Sequence, residues 1–302
     1  MKKLFLIIVH YKGKKLTEKC LKSVSALKIK GFDLKVVVVI NNPKEDLSFL
    51  ERKFRQFVFL KTDKNLGFTG ANNLGIKHSL QNRADFVVLL NNDTYVAPDF
   101  LVQLVKAANK DKEIGIIAPK IYFASGCEYH RTRYKPSERG KVFWYAGGKI
   151  DWQNVLCSHR GVDEVDKGQY EKQMPTDFAS GCAVLIKREV LNKIGLLDNR
   201  YFLYFEDVEF CQRAKQTGFK IIYTPKAKLW HFNAGSSRVG GFLHDYFITR
   251  NRLLFGMKYA RRRTKFNLAK ESIKLLITGR PWQKRAVKDF YFKNLGQGSW
   301  HD

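Results

Sequence analysis

The run Phe86-Val87-Val88-Leu89-Leu90, followed at once by Asn91-Asn92-Asp93-Thr94, constrains this chain more than any other stretch. Five apolar residues in succession are too few for a helix and read as a strand buried on both faces. Such strands belong to parallel sheets with helices packed on either side. The strand stops at polar side chains of the kind that bind phosphate, ribose or a hard cation. In open α/β sheets ligands collect beyond the carboxyl ends of strands, which puts Asp93 where a site is expected. Asn and Asp also make ordinary turns, so the stretch needs support from elsewhere.

The N-terminal third supplies it. Residues 4–9 read as a first strand ending at His10-Tyr11, and Leu16, Cys20, Leu21, Val24 and Leu27 then share one helical face. Residues 34–40, mostly Val, read as a second strand closed by Asn41-Asn42-Pro43. A helical segment at 48–54 and a short strand at 58–60 follow. The order β-α-β-α-β is that of a nucleotide-binding α/β half. Next comes Asn65-Leu66-Gly67-Phe68-Thr69-Gly70-Ala71-Asn72-Asn73-Leu74-Gly75, ahead of helical residues 76–80. Glycines permit close backbone approach, and a helix N-terminus offers free N–H groups to a phosphate. The other reading is a loop capped by Gly and Asn. The spacing is not Gly-x-Gly-x-x-Gly, so a nicotinamide dinucleotide is not indicated.

Beyond Asp93, residues 98–108 read as a helix opened by Pro98, and 114–119 as another buried strand. Patterning weakens from 121 to 174, with strands suggested only near 142–145 and 149–152. Long irregular segments in compact domains serve function, and this one is expected to fold over a substrate. Order returns with a strand at 183–186 and a helix at 188–194. The aromatic run Tyr201-Phe202-Leu203-Tyr204-Phe205 leads into Glu206-Asp207, an acidic helix start. Carboxylates there offset the helix dipole. The aromatic run would also shield them from water, and that raises a carboxyl pKa towards the range of a general base. A strand at 221–223 precedes Leu229-Trp230-His231.

Charge is the loudest compositional feature: 55 Lys and Arg stand against 28 Asp and Glu, a net +27. The excess favours a polyanionic partner, whether nucleic acid, anionic membrane or phosphorylated substrate. It is concentrated after Arg250, where apolar residues interleave with the cations in the manner of a basic amphipathic helix for a membrane surface. A helical appendix packed on the domain, with a solvated basic face, is the other reading. The five cysteines are scattered without a Cys-x-x-Cys pair, which fits neither a zinc site nor a disulfide scaffold and suits a reducing compartment. Met1-Lys2-Lys3 and the short apolar run behind it imitate a signal peptide but have no small-residue cleavage site. No run approaches about 18 apolar residues. The expected location is cytoplasmic, peripheral at the inner membrane face.

Together these stretches resemble a family 2 glycosyltransferase of the GT-A fold, in its rhamnosyltransferase-like branch. The resemblance runs from Leu4 to about Phe255. It rests on Asn65-x-Gly67-Phe68 with Ala71-Asn72-Asn73 and Gly75, on Leu89-Leu90-Asn91-Asn92-Asp93, and on the run from Gly181 to Arg188. Further on it rests on Phe205-Glu206-Asp207-x-x-Phe210-x-x-Arg213, Trp230-His231 and Arg250-Asn251-Arg252. Each motif is moderately specific; the ordered combination is strong.

The resemblance implies an α/β GT-A fold, a Rossmann-like mixed central sheet flanked by helices, over residues 1–255. A basic amphipathic helical extension over 256–302 would follow. It implies an inverting hexosyltransferase with a divalent cation, Mn²⁺ or Mg²⁺, and a nucleotide-diphosphate sugar donor (a TDP- or UDP-sugar, with rhamnose as the sugar). The acceptor would be a hydroxyl of a glycan or lipid-linked glycan. Asn91-Asn92-Asp93 matches the family's Asp-x-Asp position with only the last carboxylate kept. Asp93 and His231 are then the metal ligands, and Asp207 is the base that deprotonates the acceptor, with Glu206 as the competing assignment. His10, Tyr11, Asn41, Asn65, Gly67, Asn73, Asn91, Asn92, Asp93, Gly181, Arg250 and Arg252 would hold the nucleotide sugar. Asn41 stands where relatives carry Asp, and His10-Tyr11-Lys12 where they carry Asn-Tyr-Asn, so the nucleobase stays open. The rivals are a non-catalytic nucleotide-sugar-binding protein and a basic nucleic-acid-binding protein, although no nucleic-acid recognition motif is present. A nucleotidyltransferase would need a Gly-rich, Arg-containing loop after the first strand, which is missing.

Overall fold

The structure, a computed structural model, describes residues 1–233 and 240–301. The first half of the chain contains β1 (Lys2–His10), α1 (Lys14–Ser25), β2 (Phe32–Ile40), α2 (Ser48–Lys53), β3 (Val58–Lys61), α3 (Gly67–Gln81), β4 (Phe86–Asn91), β5 (Thr94–Val96), α4 (Phe100–Ala108) and β6 (Ile114–Phe123). Then follow β7 (Phe143–Tyr145), β8 (Gly148–Asp151), β9 (Leu156–His159), β10 (Met174–Pro175), β11 (Ala183–Lys187), α5 (Arg188–Ile194), α6 (Glu206–Gln216) and β12 (Lys220–His231). Three helices close the chain: α7 (Phe242–Tyr259), α8 (Arg262–Thr278) and α9 (Pro281–Tyr291).

The central sheet has the strand order β10-β12-β6-β11-β4-β1-β2-β3, with β5 on β12 and β7 on β6. Strands β4, β1, β2 and β3 run parallel, β11 is antiparallel to both β4 and β6, and β12 is parallel to β6. Leu4 to Ile8 of β1 and Phe86 to Leu90 of β4 are all buried. Helices cover both faces here, so these strands are apolar throughout and do not alternate. The register sets His10 opposite Ile40 and Val9 opposite Asn91. The segments that follow β1, β2 and β4 therefore open along one edge of the sheet.

The stretch from 121 to 174 is more ordered than its sequence suggests. β6 runs on to Phe123, β8 and β9 form a separate hairpin, and β10 pairs with β12. A buried Lys120 anchors the excursion, with Nζ 2.8 Å from Asp166 and bonded also to Glu171. β9 and β10 lie largely at the surface, so no apolar periodicity marked them. β12 carries the strand expected at 221–223 on as far as His231. An irregularity between Thr224 and Lys228 interrupts its pattern.

The C-terminal helices join the body. Leu253, Phe255 and Leu268 belong to the main core. Phe202, Tyr246, Phe247 and Ala286 form a second, smaller core, with Trp282 and Trp300 against it. The 255/256 division expected from the sequence falls inside the continuous helix α7.

Candidate active site

Two strand ends meet at Asp93. It lies in the tight turn between β4 and β5, and β5 pairs antiparallel with the end of β12, setting Thr94 opposite His231. His231 Nε2 consequently stands 3.1 Å from Asp93 Oδ1, although 138 residues separate them. The Phe232 N–H donates to the Asp93 carbonyl at 2.8 Å and fixes the turn. Trp144 packs edge-on against the His231 ring with centroids 4.6 Å apart. His159 lies against the other side of the contact network, on Trp144 at 4.4 Å. Burial holds the His159 imidazole down at about 4, so it stays neutral there.

The second element is the start of α6. Asp207 Oδ2 accepts the Gly181 N–H at 2.8 Å, and Oδ1 accepts the Val208 N–H at 2.8 Å. Burial raises its carboxyl above the usual Asp range, and these N–H donors act in the opposite sense by favouring the carboxylate. Glu206 differs. Burial, and then the charge of Asp207, push its carboxyl well above the usual Glu range, and Oε2 has no hydrogen-bond partner. It lines a cavity of about 10 Å³ among Phe68, Leu89, Val184 and Phe210. The pair therefore divides into an Asp207 held by two backbone donors and a Glu206 whose carboxyl burial pushes further up.

One strand segment joins the two elements. The Asn91 N–H donates to the Cys182 carbonyl at 2.8 Å, and the neighbouring Gly181 N–H reaches Asp207. Burial raises the Cys182 thiol well above its ordinary range, and the charges of Asp93 and Asp207 add to it. Cys182 lies in the motif from Gly181 to Arg188, and its place between the two carboxylates comes from the fold.

Many of the residues expected to hold the donor instead build the frame. Asn41 is buried; its Oδ1 accepts the Leu66 N–H at 2.9 Å, and its Nδ2 donates to Asn65 Oδ1 and the Gly67 carbonyl at 3.0 and 3.1 Å. Asn65 Oδ1 also accepts the Gly67 N–H at 2.9 Å. The Thr69 N–H donates to the Phe202 carbonyl at 3.1 Å. The N–H groups of Leu66, Gly67 and Thr69 around the start of α3 thus have partners within the protein. Asn73 exchanges hydrogen bonds with the backbone of Leu197. His10 is buried, with Nδ1 2.7 Å from Thr17 Oγ1. Asn92 Nδ2 donates to the Lys12 carbonyl and Thr17 Oγ1, and the Tyr11 carbonyl accepts from Asn42 at 3.1 Å.

Arg250 and Arg252 have partners other than the expected diphosphate. The buried Arg250 guanidinium donates to the carbonyls of Arg200 and Tyr201 at 3.3 Å each. Arg252 grips the Asn154 carbonyl and Glu271. The residue between them in the same motif, Asn251, was not among the expected site residues. Its Nδ2 lies 2.8 Å from the carbonyls of Tyr201, Leu203 and Tyr204. These carbonyls belong to a segment in which Phe202, Tyr204 and Phe205 all have positive φ, between 60° and 68°. Such strain persists only where surrounding structure holds it, and here it immediately precedes Glu206-Asp207. Glu209 ties α6 to α7 through Lys258 and Tyr259 and also binds Arg213 on its own helix, each at 2.8 Å.

An open cleft of about 780 Å³, lined by Cys127, Tyr129, His130, Arg131 and Asn233 among the described residues, lies beside the Asp93–His231 pair. The charge of Asp93 reaches the Cys127 thiol on its wall. Among the described residues no group of three or more His, Cys, Asp or Glu forms a complete metal cage. A carboxylate and an imidazole nevertheless suit a cation that takes its remaining ligands from diphosphate oxygens and water. Neighbouring ligands on an octahedral cation at ~2.1 Å stand about 3 Å apart, the separation seen between Asp93 and His231. The residues present fit a hard divalent cation.

A mixed α/β sheet with an acidic turn after its central strand and an acidic helix start across from it defines a GT-A fold. The description "Glycosyltransferase like family 2" matches residues 2–256, and the chain belongs to that family. It is 26 % identical over 225 residues to the low-salt glycan biosynthesis hexosyltransferase Agl10 of Haloferax volcanii, covering 72 % of this chain and 63 % of that protein. It is 27 % identical over 157 residues to the N-acetylglucosaminyl-diphospho-decaprenol L-rhamnosyltransferase of Mycobacterium tuberculosis, covering 51 % and 48 %. The chain thus spans about half to just under two thirds of the length of these relatives. Among solved structures, GalNAc-T7 with UDP, GalNAc and Mn²⁺ superposes with a TM-score of 0.65 at 15 % identity, over 97 % of this chain and 55 % of that one.

Proposed function

We propose that this protein transfers a hexose, rhamnose from a thymidine-diphosphate donor being the favoured case, to a hydroxyl of a glycan or lipid-linked glycan, with inversion. The observation that carries the reading is the pairing of Asp93 with His231 at one strand edge, joined through Gly181 and Cys182 to Asp207. Asp207 takes the acceptor proton while the acceptor oxygen bonds to the anomeric carbon. The bond from that carbon to the diphosphate oxygen breaks, and the nucleoside diphosphate leaves with the electron pair. A divalent cation at Asp93 and His231 would neutralise the charge developing on that leaving group. Glu206, whose Oε2 has no hydrogen-bond partner to hold it towards an acceptor, is the poorer candidate. The rhamnosyltransferase among the relatives supports the sugar, and the Mn²⁺ of GalNAc-T7 supports the cation. The lipid-linked substrate in that relative's name and the net charge of +27 support a peripheral place at an anionic membrane.

Calorimetric titration with TDP, UDP, GDP and ADP, each with and without Mn²⁺, tests the donor site. Binding of one diphosphate that requires Mn²⁺ is the expected result and names the nucleotide. Binding that ignores the metal, or that weakens only with salt, would overturn the assignment of Asp93 and His231.

A further inference from the structure

The outer face of α8 carries an apolar stripe that no other described element covers. Phe266, Ile273 and Ile277 are 60 %, 56 % and 71 % exposed. At ~100° per residue they fall within about 40° of arc, in one line along the helix. Thr264, Leu268 and Ser272, on the opposite side, are buried, so the helix is anchored by one face and presents the other. Arg262, Arg263, Lys270 and Lys274 are exposed beside the stripe. Lys270 Nζ lies 4.4 Å from the centroid of the Phe266 ring and borders it directly. Glu271, the helix's own carboxylate, is held by Arg252, which leaves these cations without an ion pair among the described residues.

We propose that this face of α8 docks the protein on an anionic lipid bilayer. Phe266, Ile273 and Ile277 enter the boundary between headgroups and acyl chains, and the flanking cations meet lipid phosphates. Charge decides among occupants. A second copy would set the same unpaired cations against one another. A nucleic-acid backbone would satisfy the cations but has nothing to cover two isoleucines in line with a phenylalanine. A helix of 17 residues lying flat exposes all three apolar side chains to one plane. The proposal extends the lipid-linked acceptor of the proposed reaction but rests on the exposure and charge of α8, and the test separates the two.

The experiment is flotation of the full chain with phosphatidylcholine vesicles, with and without phosphatidylglycerol, at low and high salt. Wild type is expected to float with the anionic vesicles and to lose binding as salt rises. The triple variant Phe266→Ser, Ile273→Ser, Ile277→Ser should partition about tenfold less or weaker still. The single change Ile277→Asp, at a position open to solvent, should lower binding in the same direction without touching the fold. Nucleoside-diphosphate binding with Mn²⁺, measured on the same samples, should be unchanged in every variant. Wild type that stays off anionic vesicles overturns the docking face. Variants that float like wild type, or that turn a dimer into a monomer without altering flotation, overturn it as well. Loss of diphosphate binding in wild type would instead count against the active site alone.

Discussion

Gly67 lies so close to Phe202 that a Cβ at that position would stand 2.5 Å from the phenyl ring and 2.6 Å from the Phe202 carbonyl. Its φ of +70° adds a second demand for glycine. The first residue of α3 and the strained segment before Asp207 are thus packed against each other without room for a side chain. Gly67→Ala should destabilise the fold by about 2–4 kcal/mol, from a left-handed backbone and overpacking together. Urea unfolding would measure it, and a loss below about 1 kcal/mol would mean that the two segments yield easily.

Asn251 should act on turnover through the segment it holds. Asn251→Ala leaves the carbonyls of Tyr201, Leu203 and Tyr204 without their shared donor, at a cost of about 1–3 kcal/mol. The expected kinetic outcome is a fall in kcat with donor KM nearly unchanged, because Asp207 is displaced while Asp93 and His231 are not. An equal rise in KM would show that the segment contacts the donor instead.

The two adjacent carboxyls should separate by substitution. Asp207→Asn is expected to lower kcat by about 10²–10⁴ while preserving diphosphate affinity. Glu206→Gln should keep most of the activity. Because burial raises the Asp207 carboxyl, the acid limb of kcat/KM in the wild type should lie above the usual Asp range, with activity lost as pH falls through it. Full activity in Asp207→Asn would remove it as the base.

Glu206 makes a separate prediction for stability. Its carboxyl is raised in the folded protein, so folding favours the protonated form. That contribution is complete below the ordinary Glu range and is lost as pH rises through the folded value. Glu206→Gln cannot titrate and should therefore gain on wild type as pH rises from acid to alkaline. Thermal melts across that range would show the difference widening; a constant difference would place the charge elsewhere.

The metal pair is tested by removal of either partner. Asp93→Ala and His231→Ala should each abolish the Mn²⁺-dependent part of diphosphate binding in calorimetry. If His231→Ala kept that part, the imidazole would only orient Asp93 through its 3.1 Å contact.

Much of the fold was readable in one dimension. The apolar runs at Leu4 to Ile8, Val36 to Ile40 and Phe86 to Leu90 are strands because continuous burial on both faces leaves an unmistakable pattern. The hairpin of β8 and β9 and the short β10 were not fully legible, because strands lying against solvent carry no such pattern. Gly67 could be read two ways. Glycine at a helix start serves a ligand or a neighbouring segment equally well, and the close approach of Phe202 is visible only in the fold.

The candidate site divides along the same physical line. The order and chemistry of Asp93, Glu206-Asp207 and His231 are local properties, and the sequence alone determined the α/β class, the family resemblance and these side chains as those to watch. Which of them meet is a matter of long-range pairing: β5 on β12 brings His231 to Asp93, and the Gly181 N–H reaches the Asp207 carboxylate. The tertiary structure also decided that Asn41, Asn65, Asn73 and Arg250 support backbone. A side chain's hydrogen-bond partner depends on what folding places within about 3 Å of it, and separation along the chain carries no record of that distance.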